Sequence, residues 1–142
     1  MEVPMDKKEV IDFINAHTGS HLATIDGNVP RVRGMGIHKA DENGIIIQTA
    51  KIKDVYKQLI SNPNVELCFN DYENRVQIRV HGKAELVNDP DLMKEVLNAR
   101  PFLKSQIDEY GSDVIVLFRV KNGRAVKWTM AMNLKPKEWV DL

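Results

Sequence analysis

The chain has 142 residues, 43% of them apolar and 28% charged, with only six Pro and eight Gly. That composition excludes a disordered or collagen-like chain, and the length suits one compact domain over residues 1 to 142. Lys+Arg and Asp+Glu each number 20, so a net charge of zero provides no general attraction to nucleic acid or an anionic membrane.

The longest apolar runs, Ile45-Ile46-Ile47 and Val114 to Phe118, fall far short of the ~20 residues a membrane span needs. The opening Met1-Glu2-Val3-Pro4-Met5-Asp6 has neither a basic nor an apolar leader region, so no secretory signal is expected. Cys68 is the only cysteine and lies in Val65-Glu66-Leu67-Cys68-Phe69, which predicts a buried, inert thiol. A reducing cytoplasm is the expected compartment.

No long repeat interrupts the chain, so the elements are read in order. Asp6 and Glu9 have the spacing of a capping pair, and Val10, Phe13 and Ile14 predict a helix over about residues 6 to 17. His21 to Ile25, the turn Asp26-Gly27-Asn28 and Val29 to Ile37 predict a hairpin. Asp41-Glu42-Asn43-Gly44 then turns into the strand Ile45-Ile46-Ile47. Lys53 to Ser61 predicts a short helix that stops before Asn62-Pro63. Val65 to Asn70 and Val76 to Leu86 predict strands, the second with Val76, Ile78, Val80, Ala84 and Leu86 toward the core. Pro90 opens a helix, Arg100-Pro101 breaks it, and a further helical stretch reaches Tyr110-Gly111. Val114 to Val120, the turn Lys121-Asn122-Gly123 and Arg124 to Met130 predict a closing hairpin. Consecutive, hairpin-linked strands with helices set between them predict an antiparallel barrel or α+β fold.

Most chemical motifs are missing. His17, His21, His38 and His81 have no ligand spacing, and no CxxC, HExxH, Gly-x-Ser-x-Gly, Walker or helix-opening Gly-x-Gly-x-x-Gly pattern occurs. Gly34-Met35-Gly36 is instead a Gly-x-Gly inside a strand, where glycine marks a bulge or a close approach of backbone to a ligand. It follows Arg31-Val32-Arg33, so either the segment is an edge strand protected by charge or cations and exposed backbone gather at a ligand. Lys51 and Lys53 lie at the start of a helix, whose dipole favours anions; they are either solvated or share a phosphate. Gln77, on the polar face of its strand, can give a donor and an acceptor to a heterocycle edge.

Taken in order, Pro30-Arg31-Val32-Arg33-Gly34-Met35-Gly36-Ile37, Ile45-Ile46-Ile47-Gln48-Thr49, Lys53 with Gln58-Leu59, Asn62-Pro63-Asn64-Val65 and Gln77 to Glu85 resemble the FMN-binding split β-barrel proteins related to pyridoxamine 5′-phosphate oxidase. The resemblance spans about residues 10 to 130. It implies a mainly β fold with flanking helices, a six-stranded antiparallel split barrel that forms a homodimer with FMN between the subunits. Arg33 and Lys53 match the phosphate ligands, and Thr49 and the Gln48 backbone match positions that hold the phosphate or flavin. Gly34, Met35 and Gly36 match the strand along the flavin ring, and Gln77 matches a glutamine that contacts it. Trp128 is either an aromatic wall of that site or a core or interface residue.

The chain departs from the oxidase proper, which has a lysine where this sequence has His38 and an Arg-Lys pair where it has Ile52-Lys53. An Arg-Leu-His substrate motif is also missing from the C-terminal segment. The resemblance therefore implies a relative of the small nitroimidazole-resistance and general-stress branches. Such a protein would pass electrons from NADH or NADPH through FMN to a small acceptor. Alternatives are a non-catalytic carrier of flavin, deazaflavin or haem, or a barrel that has lost its cofactor and serves as an interaction module. No residue is identified as catalytic; His38 is the nearest candidate proton donor, against the alternative of a solvent-facing histidine at a strand end. Lys53→Ala is expected to weaken FMN binding by about 1.5 to 3 kcal/mol and leave riboflavin, which has no phosphate, nearly unaffected. Equal losses for the two ligands in a fluorescence titration would remove Lys53 from the phosphate site.

Overall fold

The computed structural model describes residues 5–142, so Met1 to Pro4 of the opening segment, where no leader is expected, lie outside the described residues. Asp6 caps α1 (Lys7–Ala16) by accepting from the Glu9 N–H at 2.8 Å, and Val10 and Ile14, one turn apart, face inward. β1 (Gly19–Asp26) and β2 (Val29–Gly36) form the expected hairpin, with Gly27 at φ +65° in the two-residue link. β3 (Lys39–Asp41) and β4 (Gly44–Ala50) follow. A Cβ on Gly44 would lie 2.3 Å from the Val120 carbonyl oxygen, so this corner admits only glycine.

The chain continues through α2 (Asp54–Ser61), β5 (Asn64–Asp71), β6 (Val76–Val87), α3 (Pro90–Ala99), α4 (Leu103–Tyr110), β7 (Ile115–Trp128), a 3₁₀ turn (Met130–Met132) and β8 (Trp139–Asp141). The eight strands form one antiparallel sheet in the order β2-β1-β5-β6-β7-β4-β3, with β8 on β7. Its two ends are consecutive in sequence, because β2 passes directly into β3 through Ile37 and His38. The Ile37 N–H donates to Thr18 O on the β1 side and the His38 N–H donates to Ile46 O on the β4 side, which closes the barrel. Asn15 of α1 covers the edge of β3 by exchanging two 2.9 Å hydrogen bonds with the Ala40 backbone.

Leu22, Ile37, Ile45, Ile47, Leu67, Phe69, Ile78, Val80 and Phe118 fill the barrel, with Val10 and Ile14 of α1 and Val55 and Leu59 of α2 in the same cluster. A second cluster sets Leu92 and Val96 of α3 and Leu103 of α4 on Ile46, Ala50, Ile115 and Leu117, outside the barrel wall. β4 and the first half of β7 are therefore buried on both faces, which is why they read as unbroken apolar runs. The remaining outer face, over β1, β2, β5, β6 and the second half of β7, carries no helix in either cluster.

Three expectations are corrected. The closing hairpin is one long strand: β6 pairs with β7 on both sides of Lys121-Asn122-Gly123, and the register shifts there. Asn122, at φ +53°, makes a bulge, because the long β6 provides a continuous partner and the positive φ is used to bend β7 rather than reverse it. Leu86, expected in the core, is 48% exposed beyond that shift. The sheet has eight strands among the described residues instead of six, since β3 and β8, at three residues each, are too short to show a period.

α3 is fastened to the closure. Arg100 Nη2 donates to Ile37 O at 2.7 Å, and His38 Nε2 donates to Glu95 Oε2 at 2.6 Å, with Lys39 also within reach of Glu95. The hydrogen bonds from His38 and Lys39 hold the Glu95 carboxyl below its ordinary 4.5. A carboxyl lowered in the folded state contributes its stability in full above the unfolded value and loses it as pH falls through the folded one. Glu95→Gln is thus expected to flatten the dependence of the urea midpoint on pH on the acid side of 4.5. An unchanged acid limb would show that the contact carries no proton linkage.

Candidate functional site

Among the described residues β2 pairs only with β1, and beside it a groove of about 1130 Å³ runs between α2 and the β1–β2 hairpin to the link joining α3 and α4. Arg33, Gly34, Met35, Gly36, Gln48 and Lys53 all line this groove. The strand period puts Arg33 and Met35 on the face of β2 opposite Gly34 and Gly36, yet an edge strand lets residues of both faces reach one groove.

Arg33 is set by a network that sequence reasoning missed. Its Nη1 donates to Leu22 O at 3.1 Å and Thr24 Oγ1 at 2.8 Å, and its Nη2 donates to Gln58 Oε1 at 2.7 Å. Thr24 Oγ1 in turn donates to Gln58 Oε1 at 2.6 Å. Thr24 and Gln58 are 2% and 9% exposed, so the fork is anchored on a buried, rigid base. Every one of these acceptors is neutral. They orient the guanidinium without cancelling its charge, and burial lowers its pKa, with no carboxylate acting to raise it. The signal in the sequence was weak: Thr24 falls on the inward phase of β1 and Gln58 on the buried face of α2, and buried polar side chains need partners.

Lys53 is the N-cap residue of α2 and makes no capping bond. Among the described residues its side chain has no ion pair or hydrogen bond, and a cation at a helix N-terminus costs about 0.3 to 1 kcal/mol unless an anion is shared. Lys51 is placed elsewhere, 4.0 Å from Asp113. A Cβ on Gly34 would meet nothing within 4 Å, so the backbone there opens onto free space that any side chain would narrow. At the far end Arg100 and Phe102 complete the lining; the sequence had marked Arg100 only as a helix stop.

Three expected site residues are not in this groove. Thr49 is 3% exposed, and its buried Oγ1 has no hydrogen-bond partner among the described residues. Gln77 and Trp128 face each other across β6 and β7, where Gln77 Nε2 donates to Asn70 Oδ1 at 3.0 Å. The register Gly34–His21–Cys68–Arg79 crosses from β2 to β6, so Gln77 lies three strands, roughly 14 Å, from the glycines at about 4.8 Å per strand.

His38 has a side chain only 10% exposed and engaged by Glu95, so it is a clamp on α3 and not a solvent-facing histidine. Cys68 is half-buried instead of fully buried, because it lies on the outer face of β5; burial still raises its thiol pKa, in keeping with an inert group. No group of His, Cys, Asp and Glu that could hold a metal ion occurs among the described residues. No helix among them is long and apolar enough to cross a membrane.

The barrel, its edge-strand groove and the paired cations define a class, and comparison with known proteins identifies it. Residues 6–139 match the family model described as pyridoxamine 5′-phosphate oxidase, so the chain belongs to that family. A NimC/NimA family protein from Clostridium acetobutylicum has a similar structure, with a TM-score of 0.77, 24% identity and coverage of 95% of this chain and 92% of that one. General Stress Protein 26 from Bacillus anthracis gives a TM-score of 0.70 at 18% identity, covering 97% and 100% of the two chains. A protein from Mesorhizobium loti described as FAD-binding gives 0.60 at 14% identity, covering 89% and 98%. At these identities the likeness is one of fold. No curated protein matches the sequence.

The neutral anchoring of Arg33 has a measurable consequence. Gln58→Glu would put a carboxylate against the guanidinium and cancel the charge offered to a ligand. The preference for FMN over riboflavin is expected to shrink about tenfold or more, equivalent to about 1.4 kcal/mol or more. If titration of both flavins gives an unchanged ratio, Arg33 does not meet the phosphate.

Proposed function

We propose that this chain is an FMN-binding oxidoreductase, working as a cytoplasmic homodimer, that takes electrons from NADH or NADPH and passes them to a small-molecule acceptor. The observation that carries the reading is the pair of cations without acidic partners at one end of an open glycine strand. Arg33 is fixed on neutral acceptors, and Lys53, at the N-terminus of α2, has no partner among the described residues. Two cations suit a phosphate monoester of charge near −2. From that seat the groove runs along Gly34, Met35 and Gly36, where a planar ring can lie against backbone.

When bound, FMN supplies the two-electron chemistry, and this chain's residues bind and orient it. Arg33 and Lys53 hold the phosphate; Gln48 and the β2 edge face the ring. With His38 engaged by Glu95, no histidine serves the groove, and protons come from the solvent to which it opens. The description of the Mesorhizobium relative as FAD-binding supports a flavin in this fold, whereas the phosphate seat argues for at least the FMN moiety.

The sheet face that carries no helix supports the homodimer. Val32 is 70% exposed there, and Gln77 and Trp128 lie too far from the glycines to serve the same ring. A second copy laid on this face would bring its own Gln77 to the polar edge of the flavin and its own Trp128 beside it.

The test is an absorption spectrum after loading with FMN and desalting, followed by NADPH or NADH and then an acceptor. Retained flavin bands, bleaching by the nucleotide, recovery with the acceptor and a dimer in sedimentation are expected. A protein that keeps FMN without bleaching would be a carrier. One that retains no flavin would overturn the cofactor assignment, and a monomer that holds FMN tightly would overturn the shared site.

A further inference from the structure

Outside the groove, a second pocket of about 410 Å³ forms where the segment between β7 and β8 folds back over the outer face of β6 and β7. Its size falls within the roughly 300 to 1,000 Å³ typical of small-ligand sites. Arg79, Lys127, Lys135 and Lys137 contribute cations to its lining, and no carboxylate lines it. In a chain of zero net charge such a local excess of cations is a departure. Arg79 is answered by Glu66 at 3.0 Å. Lys135 and Lys137 have no side-chain hydrogen bond or ion pair among the described residues, and Glu138, next in sequence, pairs with neither.

The pocket also has an aromatic wall. Trp128 donates its Nε1–H to Asn133 Oδ1 at 3.0 Å, which fixes the indole and ties the basic segment to the end of β7. Gln77, beside Trp128, adds an amide. A flat π-face, an amide and free ammonium groups together suit a ligand with both an aromatic base and phosphates. Solvated lysines alone would need neither the indole nor the acid-free lining.

We infer that this pocket, formed by Gln77, Arg79, Trp128, Lys135 and Lys137, binds the adenosine phosphate end of the nicotinamide nucleotide that donates electrons. The inference rests on the flavoprotein reading, since Gln77 and Trp128 border both this pocket and the proposed flavin edge, so a nucleotide anchored here would lie beside the ring. The excess of cations favours the more highly charged donor, NADPH, over NADH.

The probe is 2′,5′-ADP, titrated calorimetrically into the FMN-loaded protein and into the double variant Lys135→Glu, Lys137→Glu. Both substitutions are on an exposed segment outside the core, so the fold is retained. Wild type is expected to bind the probe with an affinity that falls as salt rises, and the variant to bind it at least tenfold more weakly with unchanged FMN affinity. No binding to wild type, or equal binding to both proteins, would overturn the inference while the flavin reading stands. Displacement of FMN by the probe would also overturn it, by making the pocket part of the flavin seat. If the protein holds no FMN, the flavin reading fails, and the same titration of the flavin-free protein still decides whether the pocket binds a nucleotide.

Discussion

The architecture depends on one junction, the direct passage of β2 into β3 through Ile37 and His38. Two backbone hydrogen bonds, one to each end of the sheet, convert an open sheet into a barrel there. β2, at one end of the strand order, has β1 as its strand partner among the described residues, and the groove with its cations and glycines lies beside the other edge. α3 is held to this point by Arg100 and by the contact of His38 with Glu95, so one locus joins the barrel, the helical layer and the far end of the groove.

The second constraint is electrostatic. A guanidinium with a carboxylate partner is a structural ion pair, already neutral; one held on a carbonyl, a hydroxyl and an amide remains a charge. Arg33 is of the second kind, and its anchors Thr24 and Gln58 are buried where water cannot compete. Lys53 repeats the pattern in a simpler way, as an uncompensated cation at a helix start. Both arrangements leave a positive charge uncompensated by any acidic side chain among the described residues, at a cost in stability.

The helices divide the outer surface of the barrel. α3 and α4 cover β4 and the first half of β7, while the face that carries Val32, Cys68 and Gln77 is left without a helix. The bulge at Asn122 separates the two halves of β7, one in the helical layer and the other in the sheet that carries Trp128. A turn in that position would have ended the strand and removed the surface to which β8 and the basic C-terminal segment attach.

Much was legible in the sequence because it is local. Helix caps, the Gly27 hairpin, the proline stops and the alternation of β5 and β6 each depend on neighbours within a few residues. The order of short motifs from Pro30 to Glu85 pointed to the family, and Arg33, Lys53 and the glycines of β2 do meet in one groove. What escaped was whatever depends on a distant partner. The segment Lys121-Asn122-Gly123 has turn chemistry, yet a long β6 decided that it bends a strand instead of reversing it. His38 was open to reading as a proton donor or a solvent-facing histidine until α3, far along the chain, brought Glu95 to it. Thr24 is unremarkable in sequence and Gln58 stands there only as part of a family motif; both acquire their role only when β1, β2 and α2 converge on one guanidinium. Residue identity and local period determine which element forms and which way each side chain points. Closure of the barrel, a free-energy balance over contacts remote in sequence, decides which of those side chains meet, and therefore whether a cation is cancelled or left to bind.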